Sequence, residues 1–129
     1  MDCEYGILAL SAVLGLVHML APTLASKNQR DFAWLLGPRD DPKPLTGVAA
    51  RLERAQSNFR ETFVIFAVAV LLAGVLGKFG TLSTWGAALY FGGRVLYLPL
   101  YALGVKVLRT LAWAVSLVGI VMVLVSLVV

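Results

Sequence analysis

Charged residues are scarce in this chain, and their scarcity excludes most classes of protein. Only 14% of the 129 residues are charged, 60% are hydrophobic, and the mean hydropathy is +0.86. A water-soluble domain of this length needs far more polar surface. The composition therefore indicates an integral membrane protein, with room for about four spans of roughly 20 residues each.

Cysteine and histidine are almost absent as well. The single cysteine, Cys3, allows no internal disulfide and no cysteine cluster. The single histidine, His18, has no acidic or cysteine neighbour at metal-ligand spacing, so we expect no metal site and interpret it as a hydrogen-bonded histidine between helices. The GxSxG, HExxH, GxxxxGK[ST] and CxxC motifs are missing, which leaves serine-hydrolase, zinc-protease and P-loop chemistry without support.

The positive charges that the chain does have are unevenly placed. Seven lie between the first and second apolar stretches: Lys27, Arg30, Arg39, Lys43, Arg51, Arg54 and Arg60. Lys106 and Arg109 lie between the third and fourth stretches, and Lys78 alone between the second and third. Short loops rich in Lys and Arg stay in the cytoplasm. We therefore expect both termini outside the cytoplasm, and the basic balance does not indicate a nucleic-acid partner.

The apolar pattern predicts an all-α fold, a four-helix transmembrane bundle in a single domain. The spans are expected at residues 5–24, 48–76, 82–105 and 110–129, with an irregular cytoplasmic loop at 25–47. Asp2 and Glu4 stand where a signal peptide would have basic residues, so the first stretch is expected to be a retained helix. The stretch RLERAQSNFRETFVIFAVAV, residues 51–70, has no Pro or Gly and predicts one helix that is half polar and half apolar.

The polar half of that helix has an ordered pattern. Arg54, Asn58 and Glu61 are four and three residues apart and share one helix face, with Arg51 one turn before them. One interpretation is interfacial, with arginines snorkelling and Glu61 pairing with a neighbour. The other is a polar site at the cytoplasmic entrance to the bundle, which better accounts for an amide and a carboxylate at that depth.

The third span contains Arg94 near its middle, with Tyr97 and Tyr101 three and seven residues later on the same face. An arginine at the bilayer centre costs about 2.5–3.5 kcal/mol on insertion scales, so it needs a partner. Two alternatives remain open, a structural ion pair with Glu61 and a site for an anionic ligand. Arg109, at the start of the fourth span, is either a topology residue or, beside a bound thiol, a cation that stabilises the thiolate.

These two motifs resemble those of the MAPEG family, the membrane-associated proteins in eicosanoid and glutathione metabolism. Arg54-Ala55, Asn58 and Glu61 fit the family's second-helix signature, and RVLYLPLY supplies Arg94, Tyr97 and Tyr101 of its third-helix signature. The resemblance covers essentially the whole chain. Thr62 stands where several eicosanoid enzymes have Tyr, and Val64 stands where many members of the family have Pro. The chain therefore resembles the short bacterial members more closely.

The resemblance implies a homotrimer in the bacterial inner membrane that binds glutathione as co-substrate between subunits, near the cytoplasmic side. The implied reactions are conjugation of glutathione to lipophilic electrophiles from the bilayer and reduction of lipid hydroperoxides, typical of detoxification. Arg109 would be catalytic, stabilising the thiolate, and the implied glutathione-binding residues are Arg51, Arg54, Gln56, Asn58, Glu61, Arg94, Tyr97 and Tyr101. The alternatives are a non-catalytic structural trimer and a binder of another anionic thiol or lipid headgroup.

Overall fold

The computed structural model describes residues 2–40 and 42–129, and of Phe32 only the backbone. Within these ranges the chain is all-helical and has no strand. Four long helices and one short helix follow one another: α1 Cys3–Ala25, α2 Phe32–Leu36, α3 Gly47–Val75, α4 Thr81–Ala102 and α5 Lys106–Ser126. The single unbroken helix predicted through residues 51–70 is confirmed, because it lies wholly within α3.

The segment between α1 and α3 is more ordered than the sequence indicated. The prediction of an irregular loop at 25–47 missed α2, whose first turn is capped by the Asp31 carboxylate accepting a hydrogen bond from the Trp34 backbone N–H at 2.7 Å. An aspartate directly before FAWLL is a helix-start signal that the sequence did offer. The prolines and glycines that follow nevertheless confine α2 to five residues.

Among the described residues, three helices are long and apolar enough to cross a membrane: α1, α3 and α5. At 1.5 Å per residue α3 is about 44 Å long, and the hydrocarbon layer is only about 30 Å thick, so its polar N-terminal turns extend beyond that layer. α4 falls short of a spanning composition, since its 22 residues include Arg94, three tyrosines and three glycines. A fourth span at 82–105 therefore stays a prediction.

α4 packs against α1, α3 and α5, and its contact with α5 is very close. The backbones of Gly86 and Gly119 touch, and a Cβ added to Gly119 would lie 2.6 Å from the backbone nitrogen of Tyr90. Two turns after Gly86 on α4, a Cβ added to Gly93 would lie 2.7 Å from the carbonyl oxygen of Ala112, on α5. The absence of side chains at these positions lets the two helices approach closely, as small residues do between membrane helices.

The apolar core lies in the half of the bundle opposite the polar end of α3. Phe66, Ala69 and Val70 from α3 meet Ala87 and Tyr90 from α4 and residues of α5. The Phe66 and Tyr90 rings stack with their centroids 4.0 Å apart. The Tyr90 hydroxyl lies 3.1 Å from the hydroxyl of Thr62, so this buried phenol is satisfied within the core.

The close approach of α4 and α5 makes a testable contrast between two glycines. Gly119→Ala places a methyl group against the α4 backbone, and overpacking of this kind costs about 1–3 kcal/mol. Gly92 lies on α4, the helix that Gly119 of α5 contacts. In Gly92→Ala the added methyl group meets nothing within 4 Å, so this change should be neutral or slightly stabilising. The midpoint of thermal aggregation in detergent should fall for Gly119→Ala alone. Equal midpoints for the two variants would contradict the packing described here.

Candidate functional site

The guanidinium of Arg94 is completely buried inside the bundle. Its Nη1 donates a hydrogen bond to Oδ1 of Asn58, on α3, at 2.7 Å. Its Nε and Nη2 have no hydrogen-bond partner among the described residues. A buried cation with two free N–H groups is unusual, because an unpaired buried charge is costly.

Aromatic rings cover the faces of this guanidinium. Its Cζ lies 4.2 Å from the ring centroid of Tyr97, one turn further along α4, and 5.5 Å from that of Phe59, on α3. Both distances are within the range of a cation–π interaction. The rings therefore offset part of the cost of burial, while Nε and Nη2 remain without a hydrogen-bond partner among the described residues.

A cavity of about 200 Å³ opens next to this buried cation, where α3, the end of α4 and the start of α5 meet. Its wall consists of Asn58, Tyr97, Tyr101, Arg109, Thr110 and Trp113. Asn58 and Tyr97 thus contact Arg94 and also line the cavity. The structure brings residues of two separate sequence motifs, and Arg109 from a third segment, to one place.

Two further arginines contact Tyr101, which lines the cavity. Nε of Arg54 donates to the Tyr101 hydroxyl at 3.1 Å. Cζ of Arg109 lies 4.4 Å from the Tyr101 ring centroid, and the Tyr101 and Tyr97 rings are 5.4 Å apart. With Arg94 these cations surround two tyrosine rings, and no carboxylate forms an ion pair with them among the residues that the structure describes. Such a concentration of positive charge and phenol hydroxyls is suited to an anion.

The position of Glu61 differs from that expected by one of the two interpretations of Arg94. The interpretation of Arg94 and Glu61 as a structural ion pair is wrong, because Arg94 donates its hydrogen bond to Asn58 and the described ion pairs do not include Glu61. The Glu61 side chain is exposed. Its carboxylate is therefore free to meet a ligand or another protein molecule.

Arg51 and Gln56 lie outside the cavity. Nε of Arg51 donates to the carbonyl oxygen of Ala102 at 2.9 Å and so joins the start of α3 to the end of α4. Gln56 is half-buried on the α1 side of α3. There it lines a second cavity of about 210 Å³, together with Arg30 and Glu53, which form an ion pair at 3.4 Å.

The sequence analysis missed several residues of this region. Thr110 and Trp113 line the cavity, and Trp113 follows Arg109 by four residues, a spacing that places both on one face of α5. Phe59 contacts Arg94 but resembles any core phenylalanine in the sequence. The interpretation of His18 as a hydrogen-bonded histidine is wrong, since neither ring nitrogen has a partner among the described residues. His18 instead stacks on Phe59.

The model of the MAPEG family matches residues 7–129, a range that includes every residue of the site described above. No curated protein sequence matches the chain significantly.

The hydrogen bond between Arg94 and Asn58 can be tested by a double-mutant cycle. Asn58→Leu leaves the buried guanidinium without a hydrogen-bond partner and should cost about 1.5–3 kcal/mol, the range for a hydrogen bond to a charged group. Asn58→Leu combined with Arg94→Met should cost less than the sum of the two single changes, because the pair is then replaced by apolar packing. Thermal midpoints in detergent measure both.

Glu61→Gln is the matched control for this cycle. Its side chain is exposed and forms no described ion pair, so stability should change by less than about 0.5 kcal/mol. Strict additivity of the Asn58 and Arg94 changes, or a large loss of stability in the control, would show that Arg94 is held by other groups.

Proposed function

The chain belongs to the MAPEG family of membrane proteins, and on this premise we propose that it is a glutathione-dependent membrane enzyme. It would conjugate glutathione to lipophilic electrophiles, reduce lipid hydroperoxides, or do both. Glutathione would enter from the cytoplasm, and the apolar substrate would enter sideways from the bilayer.

One observation supports this proposal above all others. The buried Arg94 has two nitrogens, Nε and Nη2, without a partner among the described residues, and it contacts Asn58 and Tyr97 in the wall of the cavity that Arg109 also lines. A purely structural arginine would have its donors satisfied within the protein. Donors left free next to a cavity suit a ligand that supplies oxygen acceptors. The family indicates a ligand of that kind, glutathione.

The chemistry of glutathione matches the groups around the cavity. Its two carboxylates suit arginine and tyrosine donors, such as Arg54 and Tyr101. Its ammonium group suits a carboxylate, and that of Glu61 is exposed and forms no ion pair within the described part of the chain. Its thiol needs a nearby positive charge to ionise, and Arg109 at the cavity wall is placed to provide it.

The proposed reactions follow from that thiolate. In conjugation the thiolate attacks the electrophilic carbon of the substrate, a carbon–sulfur bond forms, and the leaving group departs with the bonding electron pair. In hydroperoxide reduction the thiolate attacks the terminal oxygen, and the alkoxide takes up a proton and leaves as the alcohol. The resulting glutathione sulfenic acid then reacts with a second glutathione, giving the disulfide and water.

The size and position of the cavities support a site shared between subunits. A cavity of about 200 Å³ is smaller than the roughly 300–1,000 Å³ of typical small-molecule sites. A second polar cavity, containing Gln56, lies on the other side of α3. In a cyclic trimer each subunit presents two different surfaces to its neighbours, so one subunit's first cavity could meet the next subunit's second. We propose such a homotrimer of four-span subunits in the inner membrane, with the termini outside the cytoplasm.

The role proposed for Arg109 can be separated from ligand binding. Arg109→Ala should lower kcat for conjugation of a chlorodinitrobenzene-type electrophile at least about tenfold, because the thiol loses its stabilising cation. Glutathione binding by calorimetry should change little. Lys106→Ala removes an exposed cation from the same helix start and should leave both quantities unchanged. Equal losses in the two variants would indicate a general charge effect.

Two measurements on the unmodified protein distinguish the proposal from its alternatives. Calorimetry with glutathione should show binding, and native mass spectrometry should show a trimer. Absence of both binding and conjugation would contradict the enzyme proposal and favour a structural trimer or a site for another anionic thiol or headgroup. A monomer would contradict the shared site.

A further inference from the structure

The ring of Phe59, on α3, is held from one side by α1. The His18 ring stacks on it with the centroids 4.5 Å apart and the planes 19° from parallel. One turn earlier on α1, Gly15 leaves room for the Phe59 ring, since a Cβ there would lie 3.1 Å from Phe59 Cε1. Gly15 and His18 are three residues apart on the same face of α1, and both lie against the Phe59 ring.

The same phenylalanine ring contacts the buried cation of the site. Cζ of Arg94 lies 5.5 Å from the Phe59 centroid, and the Tyr97 ring lies 4.2 Å from that Cζ. Four groups from three helices are therefore in successive contact: His18 of α1, Phe59 of α3, and Arg94 and Tyr97 of α4. The last of them lines the cavity.

Arg94 has little else to fix its orientation. Its one hydrogen bond, through Nη1 to Asn58, does not by itself fix rotation of the guanidinium about that contact. The rings on its faces restrict that rotation, because a planar cation and a flat ring attract best when the cation lies over the ring face. A Phe59 ring free to tilt would allow Arg94 to turn as well.

Apart from its stack on Phe59 and the nearby charge of Arg94, His18 has no interaction among the described residues that would explain a polar ring at a fully buried position. Both ring nitrogens lack a partner among the described residues, so its hydrogen-bonding capacity contributes nothing to stability. The remaining property of the side chain is its flat aromatic face. Leucine would fill a similar volume but could not stack.

We propose that His18 is a positioning residue: its ring, acting through Phe59, orients Arg94 so that the free N–H groups point to the ligand. The part of this inference that concerns glutathione depends on the function proposed above. The part that concerns the orientation of Arg94 holds for the ligand-free protein. α1 thereby contributes to the site although its residues do not line the cavity beside Arg109.

The experiment compares three variants in detergent micelles. His18→Phe keeps a flat ring and removes the nitrogens, whereas His18→Leu keeps the volume and removes the ring. Tyr5→Ala removes an aromatic ring from the same helix at the other end, where Tyr5 packs on Phe79 with the centroids 5.0 Å apart. It therefore controls for a general loosening of α1.

Two quantities are measured on each variant. The first is the NMR resonance of the Arg94 Nε–H group, identified by its loss in Arg94→Met. The second is the dissociation constant for glutathione by calorimetry. His18→Leu should shift or broaden the resonance and weaken binding roughly fivefold, the scale of one aromatic contact. His18→Phe and Tyr5→Ala should leave both close to those of the unmodified protein.

Gly15→Ala gives an independent route if His18→Leu does not fold. Its methyl group would press on Phe59 and should also move the Arg94 resonance, with His18 intact. An unchanged resonance in whichever of these variants folds would overturn the inference. An effect of His18→Phe as large as that of His18→Leu would also overturn it, because the imidazole nitrogens would then be responsible. If the unmodified protein binds no glutathione, the proposed function fails, and the resonance still decides the role of His18.

Discussion

The burial of a single guanidinium governs the organisation of this bundle. Arg94 lies within a largely apolar helix, at zero exposure, with one hydrogen bond to Asn58. Placing such a cation among membrane helices is costly, and the surrounding residues reduce that cost with an amide oxygen and two aromatic faces. They do not remove it, since two N–H groups remain unpartnered among the described residues. The proposal that Arg94 binds an external acceptor rests on these unpartnered nitrogens.

The rest of the fold serves to keep that group in place. Glycines at the contact of α4 with α5 bring the two backbones together, so Arg109 and Trp113 reach the cavity that Tyr97 and Tyr101 line. α3 contributes Asn58, and Arg51 joins its start to the end of α4. α1 contacts the Phe59 ring through His18 and Gly15. A site made from several helices in this way has rigid walls, which favours selective binding because little ordering remains to be done when the ligand enters.

Much of this arrangement could be predicted from periodicity and charge. The continuous polar-to-apolar helix, the shared face of Arg54 and Asn58, and the need for a partner to Arg94 are local properties of the sequence. The identity of that partner is not local, because it depends on how α3 and α4 are rotated against each other. Asn58, one turn before Glu61, is turned toward Arg94, and Glu61 is left at the surface.

Features that depend on packing could not be predicted from the sequence either. Phe59 and His18 have nothing in their sequence neighbourhood that separates a ring beside a cation from an ordinary core ring. The short helix α2 was within reach, because its aspartate cap stands directly before an apolar run, but the surrounding prolines favoured a loop. Whether α4 crosses the bilayer depends on how far neighbouring helices, and neighbouring subunits, cover its polar residues.

The central claim is that the free donors of Arg94 are ligand donors. Its most direct test is the thermal stabilisation that glutathione gives to the unmodified protein and to Arg94→Met, measured over a range of ligand concentrations. The midpoint of the unmodified protein should rise steadily with the logarithm of glutathione concentration. Arg94→Met should fold with a similar or higher midpoint and show no such rise. An equal rise in both proteins would show that the buried arginine is structural and takes no part in binding.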